Sequence, residues 1–247
     1  MTFVTVALVL STQSIAEKDV LLRVLTPERG LFDLVAKGGK KSKRRFVNIL
    51  EPFSLLRIHV RPGRATALPP FLDQADLLEP FEGLRASFRQ YLKASYLCEL
   101  AESLLRPRTG QEVFRPLLQA LYFLTSEKLP WELLKPYFEL QILAKSGFMP
   151  RLKDCVRCSQ ELTGSKRFFA VNEGGVVCED CFREGDLFLS PSVQALLLHL
   201  QRISPQKLSR LRPSAENLKQ AGRIIENFLL YVVDREINSL RILKEML

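Results

Sequence analysis

The sequence predicts an α+β protein, with a small N-terminal β-barrel and a helical domain that carries an inserted four-cysteine metal site. Three observations predict this class. Apolar residues alternate with a period of about 2 over about the first 75 residues, they recur with a period of about 3.6 beyond Pro80, and four of the five cysteines form two Cys-x-x-Cys pairs. We therefore expect an OB-fold barrel at residues 1–78 and a helical domain at residues 79–247, with a zinc ribbon or knuckle at 155–181.

Short apolar and β-branched runs, separated by turn signals, predict the strands of the barrel. The runs are Phe3–Leu10, Val20–Leu25, Leu31–Ala36 and Phe53–Val60. The segment Thr26–Gly30 favours a hairpin, because its proline presets φ and its glycine accepts a positive φ. About five short strands in about 75 residues favour a closed barrel without exposed strand edges, although an SH3-like barrel would give much the same pattern.

Beyond Pro80 the apolar residues fall on one face of predicted helices, beginning with Leu84, Phe88 and Tyr91. We predict five helices, at residues 81–105, 113–126, 131–146, 191–202 and 214–245. The fifth cysteine, Cys98, stands alone in an apolar helical run. It is interpreted as a small buried side chain.

The charge of the chain favours a polyanionic partner. Its 247 residues include 36 lysines and arginines against 27 aspartates and glutamates, which gives a net charge of +9. Nucleic acid, a ribosome-like particle and an anionic membrane surface all fit this excess. The apolar run Val4–Leu10 is far shorter than the roughly 20 residues of a membrane helix, and no basic residue precedes it as in a signal peptide. Since paired cysteines suit a reducing compartment, we expect a cytoplasmic protein.

The strongest local signal is the pair Cys155 and Cys158 followed by the pair Cys178 and Cys181, with 19 residues between the inner cysteines. This is the spacing of a zinc ribbon, in which each pair turns two sulfurs toward one ion. Four thiolates complete a tetrahedron with Zn–S distances of about 2.3 Å and leave no position for substrate. The predicted zinc ion is therefore single and structural, with redox-active dithiols or an iron–sulfur cluster as the alternatives.

The residues around the cysteines fit this interpretation. Gly174 and Gly175 supply a turn, so that the intervening chain can return as a β-hairpin. Basic side chains nearby would offset the negative charge of the thiolates and help to keep them deprotonated. These side chains are Lys153, Arg157, Lys166 and Arg167.

A basic segment at residues 37–45 holds six lysines and arginines among nine residues and no acidic residue. By itself such a run is as readily a solvated loop as a binding surface. A barrel that brings the cations of the next strand pair close to this segment would form a continuous positive groove for phosphates. The candidate nucleic-acid-binding residues are Lys37, Lys40, Lys41, Lys43, Arg44, Arg45, Arg57, Arg61 and Arg64.

Aromatic side chains near the basic segment are candidates for stacking on unpaired bases. They are Phe32, Phe46, Phe53 and Phe71. Most are expected in the core. Phe46, which is embedded among cations, is the one serious candidate for stacking.

The sequence shows no pattern typical of a catalytic site. Nucleases and phosphatases need clustered carboxylates or histidines, whereas the two histidines here, His59 and His199, fall in a predicted strand and a predicted helix. The segment Gly38–Ser42 matches only the tail of a phosphate-cradling loop and lacks its first glycine. We therefore expect no enzymatic activity and no ATP hydrolysis.

Several short motifs occur in a specific order, although none is specific alone. In the N-terminal part they are Ala7–Leu10, Glu17–Asp19, Thr26–Gly30, Leu34–Gly38 and Leu50–Phe53. In the C-terminal part they are Tyr137–Leu140, Gly147–Pro150, Gly174–Cys178, Tyr231 and Glu236–Leu240. Through this ordered set the sequence resembles the bacterial recombination mediators of the RecO family over nearly the whole chain.

The resemblance implies an OB-fold domain followed by a helical domain with a zinc site, and the four cysteines resemble those of the zinc-containing members. It implies binding of single- and double-stranded DNA, annealing of complementary strands and recombinase loading in DNA repair. The implied partners are RecR and the acidic tail of single-stranded DNA-binding protein, and the implied location is the bacterial nucleoid. Gly39-Lys40 departs from the family pattern, in which a small residue and arginine are common at these positions.

We expect the acidic tail of single-stranded DNA-binding protein to dock beside the apolar helix Val193–Leu200, although a solvated basic face is the alternative. The basic residues at that helix are Arg202, Lys207, Arg210 and Arg212.

The competing function is a zinc-ribbon factor of transcription or translation that binds RNA, which a preference for RNA over DNA would reveal.

Overall fold

The computed structural model describes residues 2–42, 45–63, 68–105, 110–162 and 166–246. The chain forms two compact units. Residues 1–125 together with 237–247 form the first unit, and residues 126–236 form the second. Among the helices in the described part of the chain, none has the length and apolar content needed to cross a membrane.

The first unit contains a closed five-stranded barrel, which confirms the predicted fold class. Its strands are β1 (Phe3–Ser14), β2 (Val20–Thr26), β3 (Gly30–Ala36), β4 (Leu55–Arg61) and β5 (Phe71–Glu79). The order around the barrel is β1-β2-β3-β5-β4, and the first and last strands of this order pair with each other. All neighbours are antiparallel except β3 and β5, which are parallel. This closed arrangement is OB-like and leaves no free strand edge.

Alternation along the strands places one set of side chains inside the barrel. Ala7, Val9, Leu22, Val24 and Leu34 are fully buried in its core. The hairpin between β2 and β3 turns at Gly30, whose φ of 68° lies in the left-handed region that glycine accepts most readily. Burial of one face of each strand therefore fixes which residues point outward to solvent.

Besides the barrel, the described part of the first unit contains the α-helices α1 (Phe88–Leu104), α2 (Gly110–Ser126, which ends at the boundary of the unit) and α6 (Asn238–Met246). The prediction of one helix over 214–245 is wrong, because α5 (Ala215–Val233) ends at Asp234, whose φ of 49° is left-handed. Short polar residues such as aspartate tolerate this conformation. The Glu99 carboxylate then accepts hydrogen bonds of 2.9 Å from the backbone N–H groups of Asn238 and Ser239, which caps the start of α6.

The second unit holds α3 (Trp131–Lys145), α4 (Pro191–Arg202) and α5 around a small sheet. The sheet consists of β6 (Arg167–Ala170), β7 (Gly175–Cys178) and β8 (Leu187–Phe188) in the order β7-β6-β8. One face of β6 packs on α5, since the rings of Phe169 and Phe228 lie 5.7 Å apart. This sheet carries one half of the cysteine motif.

Candidate metal centre and nucleic-acid interface

The second unit brings the four predicted ligands together. The sulfur atoms of Cys155, Cys158, Cys178 and Cys181 all lie within 4.8 Å of one another, and the Sγ atoms of Cys158 and Cys178 are 3.8 Å apart. Among the described residues, these four form the one group of three or more Cys, His, Asp or Glu side chains that could hold a metal ion. Cys155 is buried and Cys158 is exposed.

The four sulfurs meet because the first cysteine pair, at residues 155–158, packs closely against β7. The N–H of Val156 donates to the carbonyl oxygen of Val176 at 2.8 Å, and the N–H of Val176 donates to the carbonyl oxygen of Arg151 at 2.9 Å. A Cβ atom on Gly175 would lie 2.2 Å from a methyl carbon of Val156 and 2.8 Å from the Arg151 carbonyl oxygen, so only glycine fits there. The glycine pair therefore does more than supply a turn. Gly174 bends the hairpin with a φ of 66°, and Gly175 lets the two halves of the site approach.

Arg157 joins the two cysteine pairs through side-chain hydrogen bonds. Its guanidinium donates to both Asp186 carboxylate oxygens at 2.7 and 3.0 Å and to Glu173 Oε1 at 2.7 and 2.9 Å. It also donates to the carbonyl oxygen of Cys181, in the second pair. The Arg157 side chain is only 9% exposed. Sequence reasoning treated Arg157 as a diffuse positive charge and missed Asp186 and Glu173, because their distance in sequence gives no signal of contact.

The hydrogen bonds of Arg157 also lower the pKa of its partner Asp186. Burial would raise the pKa of Asp186, but hydrogen bonds from Arg157 and from the backbone N–H of Arg183 outweigh it and lower the pKa below its usual value. Asp186 is therefore an ionised acceptor near neutral pH. Charge-assisted, bidentate pairs of this kind have more restrictive geometry than a single ion pair.

The cysteines differ in their proton affinity. Burial raises the pKa of the Cys155 thiol, but the backbone N–H groups of Cys158, Cys178 and Arg157 outweigh burial and lower the pKa to about 6. Hydrogen bonding to Cys178, followed by burial, raises the pKa of Cys181 to about 12, and burial raises the pKa of Cys178. Metal binding to this group would therefore release thiol protons.

The expectation that nearby lysines and arginines help to keep the thiolates deprotonated stays a prediction. Backbone N–H groups lower the pKa of Cys155, and two of the four basic side chains have partners outside the group of four cysteines. Lys166 forms an exposed ion pair of 2.6 Å with Glu179, and Arg167 donates to Gln194. The donor set of four sulfurs on two short knuckles fits a tetrahedral metal that prefers thiolates, and it leaves no open ligand position on such an ion.

We expect Arg157→Ala to weaken metal binding about 10- to 100-fold, the range seen when groups that orient metal ligands are lost. The reason is that the second cysteine pair loses its link to the first. A competition titration against a chromophoric chelator measures this affinity. Lys166→Ala is the control, since it removes only an exposed ion pair. Equal metal affinity in Arg157→Ala and the parent protein would contradict the assignment.

The basic residues predicted for nucleic-acid binding lie on the barrel unit. Lys37 follows β3, Lys40 and Lys41 lie in a short 3-10 helix at Gly39–Lys41, and Arg45 follows in the same connection. Arg57 and Arg61 alternate with buried residues on the outward side of β4. All six are exposed. The remaining three candidates, Lys43, Arg44 and Arg64, lie outside the residues that the structure describes.

The barrel topology brings three of these cations together. Phe71, at the start of β5, pairs with Val35 of β3 on one side and with Arg61 of β4 on the other. Lys37 Nζ lies 5.0 Å and Arg61 Cζ lies 5.4 Å from the centroid of the Phe71 ring. The Arg45 guanidinium donates to the carbonyl oxygen of Lys37 at 3.0 Å. We call Lys37, Arg45 and Arg61 the cationic cluster.

The other described cations have different neighbours. Lys40 Nζ donates to the carbonyl oxygen of Ala16, in the connection between β1 and β2, at 3.0 Å. Arg57 faces Asp76 across the β4–β5 pair, which offsets part of its charge. Arg61 also has an acidic neighbour, Asp73, at 3.1 Å, but both side chains are exposed, so this pair is weak. Lys37 and Arg61 are therefore the predicted cations that flank the Phe71 ring in the described part of the barrel.

The prediction that Phe46 stacks on bases is wrong. Phe46 is 2% exposed and belongs to the barrel core. Its N–H and that of Arg45 donate to the Ser42 hydroxyl at 3.0 and 3.1 Å, in a turn that directs the ring inward. Phe71 is the partly exposed ring beside the cations. Sequence reasoning could not select it, because the contact depends on strands that are far apart in the chain.

Two family models match the chain. The model described as "Recombination protein O N terminal" matches residues 1–81, and the model described as "Recombination protein O C terminal" matches residues 85–241. The chain belongs to the RecO family. The N-terminal RecO match contains the barrel, and the C-terminal RecO match contains all four clustered cysteines.

Curated RecO relatives match over almost their entire length. A protein of Myxococcus xanthus named DNA repair protein RecO is 33% identical, and the match covers 94% of this chain and 93% of the relative. A protein of the same name from Symbiobacterium thermophilum is 30% identical over 94% of this chain and 92% of its own length. Another, from Syntrophus aciditrophicus, is 28% identical over 98% of this chain and 95% of its own length.

Proposed function

We propose that the chain is a recombination mediator, without enzymatic activity of its own, that acts in DNA repair. In this proposal it binds single- and double-stranded DNA largely independently of sequence, anneals complementary strands and assists recombinase loading. The observation that carries the proposal is the cationic cluster around Phe71 on the barrel of a RecO-family chain. We propose that the DNA-binding domain comprises residues 1–78 and the helical domain residues 79–247.

The distribution of charge supports DNA binding by the barrel. The unit formed by residues 1–125 and 237–247 contains 20 lysines and arginines and 13 aspartates and glutamates. The other unit is closer to neutral, with 16 and 14. Cations that contact phosphates release counterions whatever the base sequence, so this surface suits sequence-independent binding. The proposed contacts include every predicted cation from Lys37 to Arg64.

We propose that the four cysteines hold one structural Zn²⁺ ion. A thiolate set without histidine or carboxylate favours zinc over magnesium or calcium, which prefer oxygen ligands. When bound, the ion would join the knuckle at 155–158 to the knuckle at 178–181. The role of Cys155, Cys158, Cys178 and Cys181 is then to stabilise the local fold, with Arg157 and Gly175 positioning the two pairs.

The proposed partners are RecR and the acidic tail of single-stranded DNA-binding protein, in the cytoplasm at the bacterial nucleoid. Because Val193, Leu197 and Leu200 on the apolar side of α4 are fully buried, the tail would dock beside this helix, where Arg202, Lys207, Arg210 and Arg212 are exposed. A cleft of about 260 Å³ beside α4 supports this proposal. Its lining includes Leu198, Arg151 and Arg202, which offer apolar contact and positive charge to an acidic, apolar-ended tail.

We expect the protein to anneal complementary strands without ATP, both naked strands and strands coated by single-stranded DNA-binding protein. Positive charge reduces strand repulsion, whereas action on coated strands requires docking to the coat. Annealing rates are measured by fluorescence quenching with full-length coat protein and with coat protein lacking its acidic tail. Slower annealing with the truncated coat is expected, and equal rates would reject docking. A strict ATP requirement would reject the mechanism, and a clear preference for RNA would favour an RNA-binding factor.

A further inference from the structure

We propose that Phe71 stacks on an unpaired base and thereby makes the barrel surface favour single-stranded over double-stranded DNA. This inference rests on the proposed DNA-binding function and names the ligand of the same surface more narrowly. The cationic cluster accounts for attraction to phosphates of either form of DNA. The aromatic ring adds a contact that only an accessible base can make.

The topology puts Phe71 at the point where three strands meet. β3 ends and β4 ends on either side of the start of β5, because Phe71 pairs with Val35 near the end of β3 and with Arg61 at the end of β4. The cations that immediately follow β3 and complete β4, Lys37 and Arg61, therefore flank one ring. A backbone phosphate held by either cation would leave its nearest base within reach of that ring.

Of the other aromatic residues near the basic segment, two are buried and the third, Phe32, is partly exposed but packs on a neighbouring ring. Phe46 and Phe53 are only 2% and 1% exposed. Phe32 packs against Phe3 with ring centroids 6.2 Å apart and lies against the barrel core. Phe71 is partly exposed and has two cations within 5.4 Å of its centroid. It is thus the ring, among the four candidates, with both access and adjacent positive charge.

Single- and double-stranded DNA differ in whether a base is free to stack on Phe71. Bases in a duplex are paired and already stacked on each other, so Phe71 can gain a base contact only by disrupting the helix. Bases in a single strand are free to lie on the ring. Loss of one aromatic–base stack weakens binding of single strands about 5- to 150-fold. A neutral ring releases no counterions, so its loss should leave the salt dependence unchanged.

The test compares Phe71→Leu and Phe71→Ala with Phe71→Tyr and Phe71→Trp in the full-length, metal-loaded protein. Fluorescence anisotropy measures binding of a labelled oligothymidine and of a labelled hairpin duplex at several salt concentrations. We expect Phe71→Leu and Phe71→Ala to lose about 5- to 150-fold in affinity for oligothymidine and less than about twofold for the duplex. The salt slope should be unchanged, and the tyrosine and tryptophan variants should retain single-strand affinity.

Phe71→Leu keeps a larger apolar side chain than Phe71→Ala, so the leucine variant tests the inference if the alanine variant fails to fold. Unchanged oligothymidine binding by the leucine variant would overturn the inference, as would an equal loss for both forms of DNA. These results leave the proposed function intact, provided that the parent protein binds DNA. If the parent bound neither oligothymidine nor duplex, the proposed function itself would fail.

Discussion

Reversing the charges of Lys37, Arg45 and Arg61 to glutamate should weaken binding of both single- and double-stranded DNA by on the order of 100-fold or more at moderate salt. These three side chains are exposed: Lys37 and Arg61 flank the Phe71 ring, and the Arg45 guanidinium donates to the Lys37 carbonyl oxygen, so together they form a local positive surface on the barrel. Each lost phosphate contact removes about one unit from the slope of log affinity against log salt concentration. The slope should therefore flatten by about three units.

A matched variant separates this local effect from net charge. Lys128, Lys219 and Arg223 are exposed residues of the second unit, and changing all three to glutamate alters the net charge by the same amount. We expect the control to bind DNA within a few-fold of the parent, because the proposal assigns the phosphate contacts to the cations of the barrel. If both variants weaken binding equally, overall charge drives the association. If neither does, the cationic cluster is only a solvated surface.

Cys178→Ser should remove the bound metal and destabilise the second unit. Cys178 ends β7, and its sulfur lies 3.8 Å from that of Cys158 in the other pair. Structural zinc contributes about 10 to 16 kcal/mol of apparent free energy to folding in zinc-finger peptides. Loss of one of four thiolates should therefore lower the free energy of unfolding of this unit by several kcal/mol. Elemental analysis should find one zinc ion per chain in the parent and much less in the variant.

Cys98→Ala provides the control for cysteine substitution. Cys98 is buried in α1, in the first unit, and is not one of the four clustered sulfurs. Its replacement should leave the metal content at one per chain, with at most a small loss of packing. Thermal unfolding with and without a chelator then reports the contribution of the metal. The zinc hypothesis would be contradicted if the parent protein contained no zinc. It would also be contradicted if the Cys178→Ser variant had the same metal content and stability as the parent.

The regular elements were predicted well where one periodic pattern dominated. The prediction of 191–202 coincides with α4, where Ser190 caps the first turn by accepting from the Val193 N–H and Pro191 occupies the first position. The strands β1 to β4 were found because each buries one face, whereas β5, in which only Leu72 is buried, was not located by its own apolar run. The break between α5 and α6 was missed, since the apolar period continues across it. The cap that starts α6 is Glu99, which is distant in sequence and visible only in the folded chain.

Periodicity and fixed spacing are local properties of the chain, so they were sufficient to predict the OB-like barrel, most of the helices, the family and the four cysteines. The contacts between the cations and the aromatic ring, by contrast, depend on how distant strands pair in the folded chain. Phe71 lies beside Lys37 because β5 pairs with β3, across more than thirty intervening residues. In the same way, Arg157 reaches Asp186 because the two knuckles fold onto each other. Contacts of this kind depend on strand pairing and burial, which no local pattern encodes.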